Sequence, residues 1–161
     1  MPGARGEHAR RRRGRPQSRH HTLPFGALQE VRDYPCTGCP WRTDSDPSVF
    51  SEQEMDMLRR NSGRRGADAS LTASAVGCHR DQRGTAHAWR WCAAWLATAG
   101  HYHHRVRLLH ATDCLPEHCL DPQPGWPALY PDLDALLTAR RHQLTQAAYA
   151  HCVGPRSPSR R

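Results

Sequence analysis

The run Pro35-Cys36-Thr37-Gly38-Cys39-Pro40-Trp41-Arg42 governs how the rest of this chain is read. Two thiols three positions apart, with a glycine between them to permit a tight turn, can reach one ion from a single knuckle. Thiolate is the usual soft ligand for zinc or for an iron-sulfur cluster. A second pair follows in Cys78, within Gly77-Cys78-His79, and Cys92, with 13 residues between them. Four thiolates complete a tetrahedral cage, so the expected metal ligands are Cys36, Cys39, Cys78 and Cys92. Neighbouring residues rarely both face one ion, which leaves His79 as an alternative ligand or as a donor that stabilises a thiolate. Zn2+ is the first expectation for the cofactor. An iron-sulfur cluster is the alternative, because Pro40 and Trp41, Trp89, Trp91 and Trp95 would supply the dry shell that protects such a cluster from solvent.

Composition agrees with a metal-stabilised fold. The chain has 161 residues, 37% of them hydrophobic, and a mean hydropathy of −0.82. That leaves room for one ordinary domain with a small core, which a structural metal would help to hold. The formal net charge is +8, and all 23 basic residues are arginine, alongside 13 prolines and 12 glycines. This is the bias of a GC-rich coding sequence, so the distribution of charge says more than its total. Seven arginines (Arg5, Arg10, Arg11, Arg12, Arg13, Arg15 and Arg19) fall within the first 19 residues. Residues 1–22 therefore read as a disordered basic arm, whose Arg10, Arg11, Arg12, Arg13 and Arg15 suit contact with nucleic-acid phosphates.

No run approaches the ~20 apolar residues of a membrane span, and no apolar segment follows the basic start. The expected location is the cytoplasm, with no membrane partner and with thiols kept reduced. In that setting seven cysteines are ligands or buried apolar residues rather than a disulfide framework. Cys114, Cys119 and Cys152 read as buried.

The fold class expected is mainly α with short extended segments, a small α+β arrangement being the alternative. Ser51 as an N-cap with Glu54 completing a capping box, and Phe50 placed to staple against Met55, predict a helix over about 52–61 ending at Asn61-Ser62-Gly63. Residues 63–75 read as a loop and 76–79 as extended. The stretch from Trp89 to Leu96 predicts a helix with Trp89, Cys92, Ala93 and Leu96 on one face. Residues 101–110 predict another short helix, with Val106 and Leu109 inward and the arginines outward. Residues 23–111 would form the cysteine-site domain. The five prolines between Asp113 and Pro131 mark 112–131 as a linker or wrapped loop. Leu133, Leu136, Leu137, Leu144 and Ala148 predict a C-terminal amphipathic helix over 132–152, and 153–161 read as a disordered tail.

Cys36-x-x-Cys39-Pro40-Trp41-Arg42, Gly77-Cys78-His79 and Cys92-Ala93-Ala94-Trp95-Leu96, followed by Gly100 and Val106-Arg107-Leu108, resemble a small bacterial family of unknown function that is also encoded by phages. Its members carry Cys-x-x-Cys-Pro-Trp-Arg, Ala-Cys-His and Cys-Ala-Gly-Trp-Leu in this order. Here Gly77 and Ala94 depart from that pattern without touching a proposed ligand. The resemblance spans about residues 34–110. It implies that the four cysteines form one unit, and it brings no activity with it.

Enzymatic readings find less support, so a non-enzymatic role is the expectation. Pro-Cys-x-x-Cys is half of the zinc-deaminase signature, but no His-x-Glu precedes it. In a thioredoxin-like dithiol a tryptophan precedes the motif, whereas Trp41 follows it. The cluster His101-Tyr102-His103-His104, with His110 and His118, lacks paired carboxylates for a hydrolytic metal site, Asp81 and Asp113 being isolated. A thiol- or metal-dependent enzyme is the weakest alternative. The leading expectation is a zinc-binding module that supports interaction with nucleic acid or protein.

Overall fold

The computed structural model describes residues 30–81, 87 and 90–152. The expected basic arm, the tail and Trp89 lie outside these residues. The described part is mainly helical, with α1 Glu52–Asn61, α2 Ala93–Ala99, α3 His104–Ala111 and α4 Leu133–Cys152, joined by the 3-10 turns Pro47–Val49, Gly100–Tyr102 and Glu117–Leu120. Among the described residues, β-pairing occurs only as isolated bridges.

Helix α1 begins where its capping box dictates. Ser51 Oγ accepts from the Glu54 amide at 3.3 Å, and Glu54 Oε2 accepts from the Ser51 amide at 2.8 Å. Phe50, Met55 and Leu58 are buried in one core. The helix ends without a left-handed glycine. Asn61 stops it by folding its side chain back, Nδ2 donating to Met57 O at 2.9 Å while Oδ1 accepts from the Ser74 amide at 2.7 Å. Gly63 is required for space, because a Cβ there would lie 2.3 Å from Tyr102 O. At this point the loop docks on the Gly100–Tyr102 turn, with the Ala69 amide donating to Tyr102 O at 2.8 Å.

Helix α2 is the central element. Ala93, Ala94, Trp95, Leu96, Ala97 and Ala99 are all buried, as expected of a helix that is apolar all round. It starts later than the sequence pattern predicts, at Ala93 rather than near Trp89. The backbone of Trp91 is occupied elsewhere, bridged in parallel to Val31 and antiparallel to Gly77. Trp91 N donates to Glu30 O at 2.8 Å and Cys92 N to Val76 O at 3.0 Å, while Arg90 O and Trp91 O, the acceptors a helix begun near Trp89 would use, are taken by Cys78 N at 2.9 Å and Arg32 N at 3.2 Å. Gly100 does not end the helical path but carries it into a 3-10 turn, where a Cβ would sit 3.1 Å from Leu120 Cδ2 and 3.3 Å from Val106 Cγ1. In α3, Val106 is fully buried and Leu109 packs against the core. Arg107 points out to Asp68, 2.9 Å away, whereas Arg105 lies over the Trp91 ring, 5.5 Å from its centroid.

Residues 112–131 wrap around the body. Leu115, Cys119 and Leu120 enter the core. Residues 125–130 then run beside both flanks of the Cys36–Cys39 knuckle. On one side Tyr34 Oη donates to Gly125 O at 3.0 Å and Trp126 Nε1 donates to Asp33 O at 3.0 Å. On the other, Tyr130 N donates to Trp41 O at 2.8 Å and Thr43 N donates to Ala128 O at 2.9 Å. The prolines stiffen the chain without removing any of these donors. Cys114 is exposed rather than buried, because it follows the left-handed Asp113 (φ 54°) at the turn out of α3.

Helix α4 docks through Leu136, with Leu133 and Leu137 beside it, and through Arg140. That guanidinium donates to Glu52 Oε2 at 2.6 Å and to Phe50 O at 3.1 Å. Leu144, expected to continue the apolar face, is instead exposed, as is Ala148. The core ends one turn earlier.

His103, expected on a histidine-rich surface, is buried at 1% exposure against the edge of Trp95, with ring centroids 5.2 Å apart. Burial holds its imidazole below the ordinary pKa; the nearby carbonyls of Ser74 and Ala73 oppose the shift, and Arg105 adds to it. The unfolded chain therefore binds more protons near pH 6.5, so this contribution to stability is complete above that pH and is lost as pH falls toward the depressed folded value. In urea titrations between about pH 5.5 and 7.5, the wild-type protein should lose more stability on acidification than His103→Phe. Parallel curves would refute the assignment.

Candidate metal centre

Three segments carry the candidate ligands to one place. The first is the knuckle. Gly38 takes φ +74°, which lets the Cys39 amide donate to Cys36 O at 3.0 Å and the Arg42 amide donate to Cys39 O at 3.1 Å. The second and third are the bridged strands around Gly77 and Trp91. Because Gly77 pairs with Trp91, Cys78 and Cys92 fall on opposite sides of that pair and so share one face, as alternation along extended backbone requires. The bonds Cys78 N to Arg90 O, 2.9 Å, and Cys92 N to Val76 O, 3.0 Å, lock the register.

All four thiols are free and buried. Ligand atoms of Cys36, Cys78 and His79 lie within 4.8 Å of one another, a group that could hold a metal ion. Cys36 Sγ is 3.4 Å from His79 Nδ1, and Cys39 Sγ is 3.9 Å from Cys92 Sγ. Cys39 and Cys92 thus make a second close pair, outside the group of Cys36, Cys78 and His79. His79 is buried and meets the edge of Phe50, with ring centroids 5.5 Å apart. Among the described residues no other group of histidine, cysteine and carboxylate side chains converges in this way. The other described histidines are scattered; His101 Nε2, for example, lies 2.8 Å from Leu120 O.

The electrostatics are those of crowded thiols. Hydrogen bonds from Cys39 and Cys78, with further help from His79, pull Cys36 far below the usual thiol range. Cys39 and Cys78 are pushed well above it, first by their bonds to Cys36 and then by burial and the neighbouring sulfurs. Cys39 and Cys78 thus resist ionisation. A divalent ion at the centre of the cluster would relieve that resistance and let all the sulfurs ionise.

A charged clamp that sequence inspection missed borders the cluster. Asp81, buried at 6% exposure, accepts from Arg32 Nη1 at 2.7 Å and from both Arg90 Nε and Nη2 at 3.0 and 2.9 Å. The same Arg32 Nη1 stands 3.6 Å from Cys78 Sγ. Asp81, which looks isolated in sequence, is thus a buried carboxylate paired with two guanidinium groups. Only the tertiary bridge between Val31 and Trp91 brings Arg32 to it.

Fold and site together define a small, mainly helical domain with a buried Cys/His cluster that could hold a metal ion. The chain belongs to the family of unknown function DUF6283, whose model matches residues 31–153. This span includes the wrapped segment and the whole of α4, well beyond the stretch of about 34–110 that carries the recognisable motifs. No curated protein and no solved structure matches the chain.

Proposed function

We propose that this protein is a metal-binding domain in which Cys36, Cys39, Cys78 and Cys92 hold one structural Zn2+, with His79 supporting the thiolates from the edge. The observation that carries this reading is the 3.9 Å separation of Cys39 and Cys92 Sγ. It is far too long for a disulfide and close to the edge, about 3.8 Å, of a tetrahedron with Zn–S bonds of about 2.3 Å. A two-iron cluster would hold a pair of thiolates on one iron at the same spacing, so metal content separates the two readings. The buried Trp41, Trp91 and Trp95 favour that second reading only in offering a dry surround. Protein purified without air and without a metal-binding tag should be colourless and contain one zinc per chain. Iron with sulfide and visible absorbance would replace zinc by the cluster, and folded metal-free protein would remove both.

Arg32 serves this centre as a compensating charge. Zinc with four thiolates carries a net charge of two minus, and the guanidinium at Cys78 lowers the cost of burying it. Arg32→Gln should bind zinc about tenfold more weakly in competition with a chromophoric chelator. Affinity within twofold of wild type would show that the clamp serves folding alone.

The domain is further proposed to work in the cytoplasm, where thiols stay reduced, and to support nucleic-acid binding, with Arg10, Arg11, Arg12, Arg13 and Arg15 adding contacts to phosphate. No helix among the described residues is long and apolar enough to cross a membrane. Retention on immobilised DNA should weaken with salt and fall when residues 1–20 are deleted. Unchanged retention would reduce the arm to a solvated tail.

A further inference from the structure

Beyond Gln143, whose Oε1 is still buried, α4 stands clear of the body. Arg140, at 8% exposure, is its last buried residue, and its bonds to Glu52 and Phe50 O anchor the helix at that point. From Arg141 to His151 every residue is exposed except the half-buried Gln143. At 1.5 Å per residue, residues 141–152 extend about 18 Å. A helix of that length without tertiary packing is marginal in water, so a partner would stabilise it. The family match runs to residue 153, which makes this overhang part of the shared unit.

Its chemistry favours a polyanion over a second copy of the chain. No Asp or Glu occurs from Ala135 to Arg161; Arg140 is committed to Glu52, and the overhang itself carries Arg141, His142 and His151, with Arg156, Arg160 and Arg161 following in the sequence. The exposed apolar side chains are Leu144, at 41%, and Tyr149, at 70%. Five positions apart, they point about 140° away from each other and form no seam for helix pairing. His142, Gln146 and Tyr149 instead align in one row at i, i+4 and i+7, and Arg141 and Thr145 in the next. Ala147, Ala148 and Ala150 keep the helix slender enough for close approach. A straight helix with basic and amide side chains fits the B-DNA major groove, about 12 Å wide, whereas the deep, narrow groove of duplex RNA would exclude it.

We propose that residues 141–152 of α4 form a contact helix for double-stranded DNA. Arg141 and His142 would meet phosphate, and Gln146 and Tyr149 would face the groove. This deepens the nucleic-acid reading above with a surface distinct from the arm. The test uses the full, metal-loaded chain and a labelled mixed-sequence duplex, followed by fluorescence anisotropy across a salt series. Arg141→Glu combined with Gln146→Glu should lower affinity at least about tenfold and flatten the salt dependence by about one phosphate contact or more, with helical content and zinc unchanged. Arg65→Glu removes an exposed arginine elsewhere on the surface and should have less than a third of that effect. The proposal is overturned if the chain does not bind the duplex, or if Arg65→Glu weakens binding as much as the α4 variant. It is likewise overturned, with the arm reading intact, if deletion of residues 1–20 abolishes binding while the α4 variant binds as wild type.

Discussion

Replacing Cys39 with serine is expected to leave a chain that holds no zinc and does not fold. Cys39 is completely buried, contacts Cys92 Sγ at 3.9 Å and shares the knuckle hydrogen bonds with Cys36. A structural zinc supplies about 10 kcal/mol or more of folding free energy in small domains. The net stability of an ordinary domain is only about 5–15 kcal/mol, so loss of the metal takes most or all of it. Far-UV circular dichroism and metal content, measured on the same sample, should show both losses. Cys114→Ser is the control: that thiol is exposed and bonds only weakly to Thr112 O at 3.4 Å, so it should shift stability by no more than about 0.5 kcal/mol. A Cys39→Ser protein that melts like wild type with one zinc bound would end the four-thiolate account. Zinc lost from Cys36, Cys78 and His79 variants but kept by Cys39→Ser would move the ligand set to Cys36, Cys78 and His79.

The second large effect is expected at Trp95. Its ring is fully buried, meets Trp91 edge-on at 6.2 Å and His103 at 5.2 Å between centroids, and donates from Nε1 to Ser62 Oγ at 3.1 Å. It therefore ties α2 to the end of α1 and to the start of α3. Trp95→Ala should cost about 3–5 kcal/mol in urea unfolding of the zinc-loaded protein, through lost burial and the cavity left behind. Trp95→Phe keeps most of the packing and loses the indole bond, so about 1–3 kcal/mol is expected. A cost below about 1 kcal/mol for alanine would mean that the core is not organised around α2.

How far the fold was legible from sequence varied with the range of the interaction. Helix α1 could be placed to the residue because its capping box is local: Ser51 and Glu54 satisfy one another whatever surrounds them. Helix α2 begins later than the helical spacing of Trp89, Cys92 and Leu96 predicts, since the carbonyls of Arg90 and Trp91 are claimed by residues far away in sequence. The leucine spacing predicts a C-terminal helix, which runs Leu133–Cys152, but it carries Leu144 into a core that stops at Arg140. Nothing in a sequence says how far along a helix its neighbours reach. The cysteine pattern brought the thiols into view, yet gave no sign of Arg32 and Asp81, which meet across 49 positions. The prolines of 112–131 read as a spacer, though their stiffness also suits a strap whose donors lie between them.

That strap bears on exchange kinetics. Residues 125–130 hydrogen-bond to both flanks of the knuckle, at Asp33 and Tyr34 and at Trp41 and Thr43. A chelator must therefore wait for those bonds to open before it can reach Cys36 and Cys39. Metal withdrawal should then follow a rate set by local opening and become independent of chelator concentration once capture outpaces closing. The domain would hold its ion by slow release as well as by affinity.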